Sequence, residues 1–425
     1  MTTSERSSSI LNRKFAALQT AVTPWLNAVH EHKKFPRMTS QTAAAVDLLH
    51  GVLAGIEGAI AAGTLAAPAI ENRILGGYQF WNVFRYKFAQ RFEDPLERFL
   101  KAADELAWLC YRPARNAALG ADDPKAKEPP LVYFSNEASP FIDPRGDRFQ
   151  PEGMPEYLIK SYGWPEASRR LPFAMIGVPW FQLGFLPGAL AIAHEVGHSV
   201  EGDFALAGSL DSLIETAAPA RTATWKAWRG EMFADLWGCL ALGPAFVSAL
   251  AETIWPPYAA DPDSTSREYP PAPLRIWWNS QVLENMHLPA KMTDFWPAGE
   301  TTAGDQDLRD DAGRIAKAWL DASFPELGNS KMRAVLNFTE EQRSIAGKQA
   351  ESAKDNESDA HRNVLTLWAA VQEAWQPKPV DLLLTRIIAA CDLAERAAPR
   401  ATPAQPSTAA ARADHIRDTG RDLFL

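Results

Sequence analysis

Two short stretches constrain this chain more than anything else in it. The first is His194-Glu195-Val196-Gly197-His198, inside Pro187–Asp203. Residues four apart lie one above the other on a helix face. Two imidazoles at that spacing can reach one metal ion, with the intervening glutamate placed to handle a water there. Pro187 suits a first helical turn, and Ala189 to Ala193 are apolar and mostly good helix formers. With 8 His in 425 residues, the pattern should arise by chance in about one such chain in a hundred.

The second stretch is Trp225 to Leu242, WKAWRGEMFADLWGCLAL. Glu231 and Asp235 are again four apart, on a helix face shared with Trp228, Gly238 and Leu242. Two carboxylates on an apolar stripe are costly unless they are paired or bind a metal. A catalytic zinc site takes three protein ligands and one open position, and His, His and Glu is one known set. A metal-bound histidine usually gives its other ring N–H to a carboxylate, a carbonyl or water. Glu231 as third ligand and Asp235 as the partner of a ligand histidine account for both charges. The competing readings are a solvated face or an ion pair with Arg229. Asp203, five residues beyond His198, is a rival third ligand, although it lacks an accompanying carboxylate at helical spacing.

The pairing of H-E-x-x-H with a downstream E-x-x-x-D resembles the gluzincin branch of zinc metallopeptidases. Glu231-Met-Phe-Ala-Asp235-x-x-Gly238 is similar to the E-x-x-A-D-x-x-G of the prenyl-protein (CAAX) endopeptidase-like group. The likeness covers about 70 residues, Phe173 to Leu242. It implies zinc held by His194, His198 and Glu231, Glu195 as general base, and Asp235 orienting a ligand histidine. That group also carries a His-Pro and a downstream Arg, where this chain has Tyr269-Pro270 and Arg275. The resemblance therefore points to Arg275, and to Tyr269 in place of the missing histidine, as stabilisers of the transition state, with Tyr258 as a second tyrosine candidate. The longer metzincin motif fails, because its Gly and third-ligand positions fall on Glu201 and Phe204.

The implied fold class is α+β and predominantly helical: a zincin-like core with a small sheet, embedded in helical N- and C-terminal regions. The expected divisions are 1–120 helical, 121–260 catalytic core, 261–397 helical, and a disordered tail over 398–425. Strands are expected at Leu131–Phe134 and Phe173–Val178. The second is either an edge strand able to pair with an extended peptide or an ordinary core strand. Helices are expected over Ile10–Ala28 (interrupted by Pro24), Thr39–Ala62, Pro95–Cys110, Leu206–Ala217, Ala220–Leu242 and Phe246–Ile254. Residues 1 to about 8 are expected to be disordered, and Asp305–Asp311 reads as a solvated helix start.

Composition narrows the partners. A net charge of −9 disfavours nucleic acid. Three widely spaced cysteines, Cys110, Cys239 and Cys391, fit a reducing compartment. The N-terminus carries no apolar run of the secretory kind, and the apolar stretch Thr42–Ile70 holds Asp47, His50 and Glu57, which reads as a buried helix and not a membrane span. The expectation is a cytoplasmic zinc metallopeptidase acting on a protein or peptide substrate. The alternative is a regulatory or sensor protein on a zincin scaffold, with a structural metal and no general proteolysis.

Overall fold

The computed structural model describes residues 3–31, 38–93, 96–119, 127–147, 171–180, 182, 186–254, 269–288 and 306–340. The expected tail at 398–425, Tyr258 and Cys391 lie outside them. The described chain is mostly helical with a small sheet. Its described residues fall into two compact units, those up to 93 together with those in 143–175, and those in 96–142 together with those from 176 on. The long helix after residue 95, which the sequence reading groups with the N-terminal region, belongs to the second unit.

The first unit contains α1 (Thr3–Glu31), α2 (Thr39–Ala62) and α3 (Ala67–Ala89). α1 starts at Thr3, where disorder was expected, and continues through Pro24. The physical reason is an unbroken apolar stripe: Leu11, Phe15, Leu18 and Val22 are buried, and so are Leu26 and Val29 beyond the proline. α2 stops at Gly63, which takes the left-handed conformation at φ 60° that closes many helices. Gly77 on α3 lets the three helices meet, since a Cβ there would lie 2.8 Å from Leu18 and 3.0 Å from Ile56. By length and composition Ser40–Ala62 is apolar enough to cross a membrane, and 61% of that window is buried within the protein.

The second unit carries α4 (Leu96–Leu119), β1 (Leu131–Ser135), β2 (Phe141–Asp143) and β3 (Met175–Pro179). The strands lie in the order β1-β3-β2. This corrects the edge-strand reading of Phe173–Val178: β3 is central and buried along its length, with a neighbour on each side, so its backbone groups are already paired. After a 3-10 turn at Leu186–Ala191 come α5 (Ile192–Asp203), α6 (Ala207–Ala217), α7 (Thr222–Leu242), α8 (Pro244–Ile254), α9 (Ala272–Asn285) and α10 (Gln306–Asp321). A two-residue ladder of β4 (Ser323–Phe324) with β5 (Ser330–Lys331) and a single turn, α11 (Met332–Val335), complete the described chain.

An aromatic cluster braces α7, α9 and α10. Trp278 packs edge-on to Trp319 at 5.2 Å, Trp225 lies 6.3 Å from Trp278, and Phe233 bridges to Trp237 and Trp319. Trp225 donates its indole N–H to Asp311, which also accepts from Arg221 at 2.6 Å. Asp311 is thus a buried anchor, not part of a solvated helix start; the apolar face of α10 brings it inward with Ala312 and Ile315. Trp319→Ala should destabilise the protein by about 3–5 kcal/mol, the usual cost of deleting a buried aromatic, as read from denaturant unfolding followed by tryptophan fluorescence.

Candidate metal centre

α5 and α7 cross in direct backbone contact. A Cβ on Gly197 would sit 2.6 Å from the Cα of Ala234 and 3.1 Å from the Cβ of Trp237. Only glycine allows this approach, and the approach sets the spacing of every polar group on the two helices. The small residues inside HEVGH and EMFAD are therefore as much part of the site as the charged ones.

The crossing brings His194, His198 and Glu231 together. The two histidine Nε2 atoms lie 3.2 Å apart. The Glu231 carboxylate straddles them, with Oε2 at 3.4 Å from His194 Nε2 and Oε1 at 3.4 Å from His198 Nε2. Zinc bonds of about 2.0–2.1 Å at tetrahedral angles separate neighbouring donors by about 3.3 Å. The observed spacings match that edge length. Two imidazoles and a carboxylate are also a donor set suited to zinc. Among the described residues, these three form the group whose donor atoms lie close enough together to hold a metal ion.

Asp235 holds the arrangement from behind. It is fully buried and accepts a 2.8 Å hydrogen bond from His194 Nδ1. That bond fixes the orientation of the imidazole and turns Nε2 towards Glu231 and His198. Arg275 of α9 grips Asp235 with Nε at 2.9 Å and Nη2 at 2.7 Å, and places Nη1 3.4 Å from Glu231 Oε2. Asn279, one turn on, donates to Asp235 Oδ2 at 3.2 Å and to the Arg275 carbonyl at 2.8 Å. The Cys239 thiol donates to Asn279 Oδ1 at 2.9 Å.

The electrostatics follow from this geometry. Burial opposes a charge on His194, but its hydrogen bonds to Asp235 and Glu231 prevail and push its pKa up to about 10. Burial alone would raise Glu231 and Asp235. Contacts with the histidines and the Arg275 charge more than offset it, holding both carboxyls below their ordinary values. Glu195 goes the other way: its burial raises the carboxyl against the pull of the two histidines. A buried carboxyl held towards its protonated form is suited to exchanging a proton with a reacting group. Glu231 and Asp235, by contrast, favour positive charge at the histidines, from a proton or from a metal that would displace it.

No family model, curated protein or solved structure matches this chain.

The rival ligand is excluded from the cluster. Asp203 sits at the end of α5, where it accepts from Tyr111 Oη at 2.6 Å and faces Lys127 Nζ at 3.4 Å. Arg229 is not the partner of Glu231 either; it pairs with Glu201 at 2.5 Å and Asp211 at 2.9 Å. Tyr269 lies three residues ahead of α9 and is 55% exposed. Asn279 escaped the sequence reading. Its signal was present, four residues after Arg275 on one helix face, but nothing local says that this face meets Asp235.

Metal content and chelator competition check these assignments. Wild type should hold one metal per chain, Glu231→Ala should lose it, and Asp203→Ala should keep it. Asp235→Asn should bind about 10–100-fold more weakly, the usual effect of removing a carboxylate that orients a ligand histidine.

Proposed function

We propose that this protein is a zinc-dependent metallopeptidase, a specific endopeptidase of the gluzincin kind. The observation that carries the proposal is the convergence of His194, His198 and Glu231 at ligand spacing, with the buried Glu195 beside them. His194, His198 and Glu231 would hold the ion. When bound, zinc supplies Lewis acidity and makes water a nucleophile near neutral pH.

The chain's own residues supply the rest. Glu195 takes the proton of the attacking water and passes it to the leaving amine. Asp235 keeps His194 in one tautomer and orientation. Arg275 neutralises Asp235 and provides a fixed positive charge 3.4 Å behind Glu231. Tyr269, exposed ahead of α9, is the candidate O–H donor for the developing oxyanion. A net charge of −9 supports a protein or peptide substrate over nucleic acid. The buried free thiols of Cys110 and Cys239 agree with a cytoplasmic setting, and the packing of α2 within its unit agrees with a helix that does not span a membrane.

Glu195→Gln is the decisive variant. It should retain the metal at wild-type stoichiometry while peptide hydrolysis falls by at least about 10²-fold, the scale of general-base catalysis. The assay is cleavage of peptide libraries and cell proteins, read by mass spectrometry. Full activity in this variant would overturn the mechanism. Stoichiometric metal with no cleavage by wild type would favour the regulatory or sensor role.

A further inference from the structure

The two ligand histidines are supported differently. His194 gives Nδ1 to Asp235 directly. Among the described residues, His198 Nδ1 has no hydrogen-bond partner: its contacts run through Nε2, to His194 and Glu231. Its Nδ1 edge instead faces Gly230. A Cβ built on Gly230 would lie 3.8 Å from His198 Nδ1, 3.8 Å from Cε1, and 3.5 Å from Glu201 Oε2.

Those distances are ordinary van der Waals contacts, so packing does not require glycine at this position. Gly230 lies inside α7, where glycine weakens a helix relative to alanine. The missing methyl leaves a small niche lined by the imidazole N–H edge and one carboxylate oxygen. The other oxygen of Glu201 is anchored by Arg229 at 2.5 Å, and Arg229 is itself held by Asp211 at 2.9 Å. The layout repeats that around His194, where Asp235 is anchored by Arg275.

We propose that Glu201 is the carboxylate that positions His198, acting through one water seated in the Gly230 niche. Such a water accepts from His198 Nδ1–H and donates to Glu201 Oε2. It fixes the tautomer that turns the His198 Nε2 lone pair towards Glu231, as metal-bound histidines require. Each ligand histidine then has its own carboxylate–arginine support: Asp235 and Arg275 for one, Glu201 and Arg229 for the other. Glu201 and Gly230 are positioning residues; neither touches substrate. The inference rests on the metal-centre reading of His194, His198 and Glu231.

The test is metal affinity of the full-length protein, measured by chelator competition with Zn²⁺, together with the visible spectrum of the Co²⁺-loaded protein and the Tm. Gly230→Ala fills the niche while leaving the Glu201–Arg229 pair in place. It should raise or preserve Tm yet weaken Zn²⁺ binding about tenfold and alter the Co²⁺ spectrum. Glu201→Gln should weaken binding to a similar degree. Asp211→Asn removes the other partner of Arg229 and should leave affinity within about twofold, which separates loss of positioning from loss of an ion pair. Unchanged affinity and spectrum in a folded Gly230→Ala protein would overturn the inference and leave the metal centre standing. Absence of Zn²⁺ binding in wild type would overturn both.

Discussion

Asp235 is the group on which the centre depends. A carboxylate with no exposed surface is tolerable only if its oxygens are filled with donors. Here His194, two nitrogens of Arg275 and Asn279 supply them. Satisfying this one charge ties α5, α7 and α9 together and fixes the orientation of the His194 ring. It also draws Arg275 close to Glu231. Breaking such a network by removing one member leaves the others buried and unpaired, so its parts act as a unit.

The network forms because the helices carrying it touch at small residues. Gly197 against Ala234 sets α5 on α7. The tryptophan cluster then sets α7 against α9 and α10 from the opposite side. The polar centre thus sits between a tight small-residue crossing and a stiff aromatic brace. This arrangement suits a site that must hold donor atoms at fixed spacing, because close-packed cores resist small displacements. The same brace explains buried charge elsewhere, as at Asp311, where indole and guanidinium donors share one carboxylate.

Much of the centre was legible in the chain. The i, i+4 spacings of His194 with His198 and Glu231 with Asp235 are local, and helical geometry places each pair on one face. Helix extents were legible for the same reason where an apolar stripe met a clear stop, as at Gly63 and Gly243. Expectations failed where packing outweighed a local signal. Pro24 does not end α1, because Leu26 and Val29 continue its buried face. Phe173–Val178 does not present an edge, because β1 and β2 pair on both sides of it.

The sequence by itself determined which residues can ligate a metal and which helices carry them, since that depends only on residue type and a period of 3.6. Tertiary structure alone placed Glu231, and not Asp203, beside the two histidines: both are acidic and near the motif, but the α5–α7 crossing sends one towards the histidines and leaves the other against Tyr111. It also recruited Arg275 and Asn279, more than forty residues after Glu231, and set Glu201 beside Gly230. Contacts between helices far apart in the chain arise from packing, and no local periodicity encodes them.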